Sequence, residues 1–364
     1  MKRKSIYLFA ALATAAFSLS SCSNDESAES VNSPAELKIT AEMYPAIDIS
    51  TRAAYNLQGT TPASFTNIGI YVWYNGYKAA KTTAPSYAGY ANDRVASYTD
   101  LGSGSGPYSL TPTTNPTMYF PIDNADVDVY LYAPYNSTAA DANMMTPDFT
   151  VADDQSTDAN YLASDFIYGM ATADYDAASD PKIAKVTMYH ALSKIILKVV
   201  PASGVSVSGL SELKLTGVKR TTIIRMANDP SAGMTVGSTN ANHVDDAKTL
   251  TGNGTDVIVT NTSNFNATVA SSNGVAAIIP PQALTSLGVS CTIDNKTATK
   301  TLSGLTYNNG TNPSASLTNF LPGKVYTITL NIKTTGIEIR LISITDWDPG
   351  NGTAGSELDL DTWS

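Results

Sequence analysis

Val325-Tyr326-Thr327-Ile328-Thr329-Leu330-Asn331-Ile332-Lys333 decides the fold class. Tyr326, Ile328 and Leu330 alternate with Thr327 and Thr329, the period-two pattern of a strand with one face on a core. The pattern recurs on both sides. Runs rich in Val, Ile, Tyr and Thr occupy 337–347 downstream and 275–279, 257–260, 212–218, 194–200, 127–132 and 68–74 upstream. Clusters of Gly, Pro and Asn separate them, as turns separate short strands. Past the first 21 residues no 3.6-residue period is sustained, apart from a short helical turn at 160–164. Many short strands between turn signals predict an all-β protein built as sandwiches. A short internal repeat is absent, which argues against a solenoid or propeller.

Two polar stretches interrupt the runs. Residues 78–116 carry Gly102-Ser103-Gly104-Ser105-Gly106-Pro107, and 139–157 is acidic. Both exceed ordinary loop lengths and are expected to be surface insertions or decorated edges. A boundary is expected near 174–181, dividing the body into domains at 53–180 and 181–364. About 310 residues beyond Arg52 suffice for two cores.

The first 52 residues have a different character. Lys2, Arg3 and Lys4 precede an apolar run at 6–17 that is too short to span a bilayer comfortably, so 1–21 reads as a signal peptide. It ends in Leu19-Ser20-Ser21-Cys22, similar to a bacterial lipobox with Cys22 as lipid acceptor. Acyl chains contribute roughly 0.8 kcal/mol per buried CH₂, so two or three hold a protein firmly. Within the propeptide 22–52, Leu37, Ile39, Ala41 and Met43 alternate with Lys38, Thr40 and Glu42. After Tyr44-Pro45, Ile47 and Ile49 resume around Asp48. This is a strand with one apolar face, and its proline suits an edge position. In Ser50-Thr51-Arg52-Ala53, an arginine in a polar stretch before a small residue suits an arginine-specific protease. Losing such a strand would leave an apolar groove with unpaired backbone groups, a site for another strand.

The C-terminus offers two strands to fill it. Ile337, Ile339 and Leu341 alternate, then the phase shifts to Ile342 and Ile344 before Trp347, as a bulge would produce. After the turn-like Asp348-Pro349-Gly350-Asn351-Gly352, Leu358, Leu360 and Trp363 alternate again with polar residues.

Chemistry is sparse. Cys291 is the only other cysteine, so no internal disulfide is available once Cys22 is acylated. The net charge of −10 becomes −9 when five Lys/Arg and six Asp/Glu leave with residues 1–52. An acidic chain with no basic stripe argues against nucleic acid. His190 and His243 lack metal-ligand spacing, and no nucleophile–base set or phosphate-binding glycine loop is present. Asp153-Asp154 and Asp245-Asp246 read as solvated loop acids before calcium ligands. Tyr71, Trp73, Tyr74 and Tyr77 read as half core and half surface before a sugar-stacking platform. No enzyme activity, cofactor or metal is expected.

Several motifs in order carry a resemblance: the lipobox at Cys22, Thr51-Arg52-Ala53, Tyr189-His190-Ala191-Leu192-Ser193-Lys194-Ile195, Ile278-Ile279-Pro280-Pro281-Gln282, Leu321-Pro322-Gly323-Lys324-Val325-Tyr326 and Ile344-Thr345-Asp346-Trp347. Together they resemble the fimbrillins, subunits of the lipoprotein-derived type V pili of gut and oral anaerobes. The resemblance implies two tandem transthyretin-like β-sandwich domains and export as an outer-membrane lipoprotein. It further implies arginine-specific removal of the leader, with Ala53 as the mature N-terminus, and polymerisation by strand exchange into an extracellular fimbrium. The implied partners are other copies of the chain, other pilus subunits, the protease and, through the lipid, the outer membrane. Arg52 as a release site and a tail past Trp347 favour a stalk subunit over an anchor or a tip adhesin. A surface lipoprotein that binds glycans is the alternative from a different class, motivated by the tyrosine-rich first domain.

Overall fold

A computed structural model of the chain describes residues 35–43, 67–74, 88–101, 107–121, 123–137, 148–176, 182–207, 209–224, 254–261, 274–307 and 315–346. All eight runs read as strands in the body of the chain form strands in the described residues, which are all-β apart from short helical turns. The short turn is α1 (Asp158–Ala163), capped by the Thr157 side chain, which accepts from the Asn160 N–H.

The first lobe contains β1 (Glu36–Met43), β2 (Gly69–Tyr74), β3 (Ala88–Asp100), β4 (Tyr108–Pro112), β5 (Met118–Tyr119), β6 (Val127–Ala133), β7 (Asp148–Thr150), β8 (Ile167–Ala173) and β9 (Lys182–His190). Eight of these form one sheet in the order β4-β3-β2-β6-β8-β9-β1-β5, and β4 also pairs with β1. The sheet therefore closes on itself through β1. Ile70, Val72, Val129, Leu131, Val186 and Met188 fill its interior together with Leu37, Ile39 and Ala41.

The second lobe contains β10 (Ser193–Pro201), β11 (Leu210–Val218), β12 (Thr221–Ile223), β13 (Thr255–Asn261), β14 (Val275–Ile279), β15 (Gly288–Ile293), β16 (Lys296–Thr301), β17 (Thr306–Tyr307), β18 (Ala315–Ser316), β19 (Lys324–Lys333) and β20 (Gly336–Asp346). Two four-stranded sheets, β14-β10-β19-β20 and β13-β11-β15-β16, enclose a core of Ile195, Leu197, Leu213, Leu215, Tyr326, Ile328 and Leu330, among others. The alternation read from 325–333 is thus the inward face of β19. The phase shift near its partner is a bulge: Thr327 pairs with Ser343 and Ile328 with Leu341, leaving Ile342 as the extra residue.

Four expectations need correction. Residues 78–116 hold β3 and β4, which form a hairpin closed by Leu101 N–H donating to Pro107 O at 3.0 Å. The pattern was hidden because a polar residue takes a core position. Asp93 is 4 % exposed, yet its carboxylate accepts from the backbone N–H groups of Arg94, Thr114 and Asn115 at 2.7–3.1 Å. Second, the described part of 139–157 is a tie between lobes. β7 pairs with β12, and Val151 N–H donates to Arg220 O. Gln155 is buried, with Nε2 donating to Ile278 O and Oε1 accepting from Ile278 N–H, both at 2.8 Å. Third, β9 pairs with β8 and β1, so the first lobe's sheet runs to His190, past the division expected at 180 and 181.

The fourth concerns the aromatics. Tyr71 and Trp73 point away from the first core, but not to solvent. With Tyr130, Tyr132, Phe166 and Tyr168 they meet Leu192, Ile196, Ala276, Ile278 and Val325 of the second lobe in a third buried core. Their outer face is an inter-lobe face, so neither ring is open to a sugar. His190 is fully buried, with Nδ1 3.0 Å from the Asp165 carboxylate beneath α1.

Candidate functional site

The first lobe places β1 where its sequence pattern gave no warning. A proline-broken amphipathic strand suggested an edge; β1 instead has partners on both sides. On one side it runs parallel to β9 from Leu37–Lys182 to Met43–Met188. On the other it runs antiparallel to β4, with Ile39, Thr40 and Ala41 opposite Leu110, Ser109 and Tyr108, and to β5, with Glu36 and Leu37 opposite Tyr119 and Met118. The proline itself lies outside the described residues. Because the second neighbour is supplied by a hairpin that the sequence disguises as a loop, an inner strand reads as an outer one.

Side chains divide cleanly between the two faces of β1. Leu37, Ile39 and Ala41 are 3 %, 2 % and 0 % exposed and point into the first core, while Lys38 and Glu42 face out. Thr40 is buried and its Oγ1 donates to Ala184 O at 3.4 Å, and Thr187 Oγ1 donates to the Glu42 carboxylate at 3.0 Å. Burying Leu37 and Ile39 contributes roughly 1.5–3 kcal/mol each, and each net ladder hydrogen bond about 0.5–1.5 kcal/mol. A crevice of about 90 Å³ opens beside β1, between Lys38 and the return of chain through Thr111 and Pro116. Without β1, β9 and β4 would face each other as two unpaired walls above an exposed core. That arrangement can do one kind of chemistry: it can bind an extended strand.

The remaining candidate residues scatter. Met43 ends β1 opposite Met188. Cys22, Ile47, Ile49, Arg52 and Ala53 lie outside the described residues, as do Trp347, Leu358, Leu360 and Trp363. Ile337, Ile339, Leu341 and Ile344 lie on β20, paired with β19 from Gly336 to Asp346 in the second lobe. Ile344 is 5 % exposed and Ile337 and Ile339 pack on the second core. Sequence reasoning missed the slot walls, Lys182–His190 and Tyr108–Pro112. Ala184, Val186 and Met188 alternate in β9 and were its available signal.

Among the described residues no group of three His, Cys, Asp or Glu could hold a metal ion, and no helix is long and apolar enough to cross a membrane. Asp153 reaches Arg220 at 3.8 Å and Asp154 accepts from Ser156 N–H at 2.9 Å. A cavity of about 540 Å³ lies between β15–β16 and the β19–β20 turn, with Cys291, Ile293, Ile332 and Ile337 on its walls. Burial pushes the Cys291 thiol up from 9.0 to about 11, away from nucleophilic chemistry.

The chain is 27 % identical over 350 residues to a Bacteroides uniformis protein named as the fimbrium subunit Fim1C, covering 96 % of this chain and 97 % of that one. A Bacteroides uniformis crystal structure named as a cell adhesion protein superposes with a TM-score of 0.54 at 16 % identity, over 86 % of this chain and 98 % of that one. A Bacteroides ovatus structure named likewise gives 0.55 at 13 % identity, over the same shares. These two likenesses establish the fold. Residues 51–347 match the profile of the fimbrillin-like family, and the chain belongs to that family.

Proposed function

We propose that the chain is a structural subunit of a fimbrium, made as a lipoprotein precursor and assembled by strand exchange at the β1 slot. The observation that carries this reading is β1 itself, an inner strand at Glu36–Met43 that is paired on both edges. Family membership and the relative named as a fimbrium subunit support it. On this reading the two lobes are the two transthyretin-like domains. Cys22 carries the lipid at the outer membrane, Arg52 is the cleavage site, and Ala53 starts the mature subunit. The strand donated by a neighbour comes from the C-terminal region. A stalk position fits best, because the chain has both a release site and a tail beyond β20.

The test is cleavage of the purified precursor with an arginine-specific protease, followed by N-terminal sequencing and electron microscopy. A terminus at Ala53 with SDS-resistant ladders or filaments is the expected result. Cleavage elsewhere, or cleaved protein that never associates, would sink it.

A further inference from the structure

Among the described residues, cutting the chain at Arg52 breaks none of the contacts that hold β1. The seven residues of β1 in register with β9, those paired with β4 and β5, and the buried Leu37, Ile39 and Ala41 lie on the leader side of the cut, while their partners at 108–119 and 182–188 lie on the body side, so every one of these contacts is non-covalent and survives it. The strand is also enclosed by its neighbours, so its core-facing side chains have no route out except by unzipping the ladders. From this, and resting on the reading that Arg52 is cut and the slot is the assembly site, we propose that the first product of cleavage is a nicked complex. In it, Glu36–Met43 remains in the slot as a bound peptide. The cut licenses exchange, and a competing strand performs it.

Two consequences follow from the geometry. The lipid on Cys22 belongs to the same peptide as β1, so the cleaved body stays tied to the membrane through the strand. Release coincides with displacement of β1, and a free subunit with an empty slot does not accumulate. The end of β1 nearest the cut is also the lightly held one. Among the described residues, the β4 register ends at the Ala41–Tyr108 pair, whereas Glu42 and Met43 pair with Thr187 and Met188 of β9. At the other end, Leu37 is clamped between Met118 and Lys182. Among the described residues, unzipping therefore runs from Met43 toward Glu36.

The precursor carrying Cys22→Ser, which keeps it off membranes, is cut with an arginine-specific protease and gel-filtered under native conditions. Mass spectrometry then reads the body peak. The leader peptide is expected to elute with the body and to separate only in denaturant. A body with its terminus at Ala53 and the leader in the small-peptide fraction overturns retention, while the reading of cut and slot stands. Failure to cut at Arg52 sinks that reading instead. A second precursor has the recognition sequence of an unrelated sequence-specific protease inserted between Ser50 and Thr51, so retention is measured in either case. In that background Ile39→Asp is expected to weaken the leader's hold on the body at least about tenfold, the change in dissociation constant that 1.4 kcal/mol produces, read as faster loss of the leader from the body peak. Leu37→Ala, a milder truncation, is expected to do the same should the aspartate variant not fold. Undiminished retention in the folded variants would place the leader somewhere other than the slot and overturn the proposal.

Discussion

Single buried side chains tie together stretches of backbone far apart in the sequence. Gln155 sits in the first half of the sequence, yet its amide pairs with both backbone groups of Ile278. Gln282 does the same for Lys219, accepting from its N–H at 3.0 Å and donating to its carbonyl at 3.2 Å. Removing a buried partner leaves its backbone groups desolvated without compensation. Gln155→Leu is therefore expected to lower stability by about 2–4 kcal/mol in a denaturant titration, despite its apolar gain. Cys291 sets a pH limit on stability. Its folded pKa lies above the ordinary 9.0, so the native state holds its proton where the unfolded chain has released it. That contribution is complete below pH 9 and disappears as pH rises toward about 11. Stability is expected to fall across that window, and Cys291→Ala to remove that part of the slope. At pH 8.5 the native thiol should resist alkylation until denaturant is added.

At the scale of elements, the bends in β11 are as specified as its straight parts. Gly217 has φ +73°, and a Cβ placed there would lie 2.1 Å from Ser286 O. It occupies the irregularity between Leu215 and Val218 in the pairing with β13. Both the left-handed backbone and the close approach require glycine, so Gly217→Ala is expected to destabilise by more than about 1 kcal/mol. A thermal shift assay reads this, with Gly304→Ala as a comparison, since Gly304 shares a positive φ but has open space around it. Such elements also mark how far the sequence can be read. β19 and β10 were legible because large apolar residues repeat at every second position. β3 was not, because Asp93 fills a core position and is satisfied by three backbone N–H groups. β1 was legible as a strand, since its own side chains alternate. Its inner position was not, since that depends on β4 and β9, which close around it from 65 residues and more away in the chain.

At the scale of the molecule, the same limit applies to the third core. Period-two alternation identifies two faces of a strand but leaves open what covers the second. In β2 and β6 the second face carries Tyr71, Trp73, Tyr130 and Tyr132, which a single sandwich would present to water. Here those rings stack and tilt on one another at 5.6 Å, buried under Ile196, Ala276 and Ile278 of the other lobe. The joint between the lobes is thus a packed core and not a linker. If the joint carries the cooperativity, Trp73→Ala should act on more than total stability. Truncating a buried tryptophan costs about 3–5 kcal/mol. Here the loss falls on contacts between lobes, while Leu131 and Leu213 inside each lobe keep their partners. The intact protein is expected to unfold in a single calorimetric transition, and Trp73→Ala in two, with the lower one assigned by proteolysis to one lobe. Val129→Ala, which truncates a side chain inside the first core, serves as the control and should shift the transition without splitting it. One shared transition in Trp73→Ala, merely displaced, would mean that the Gln155 and Arg220 ties couple the lobes without help from the aromatic core.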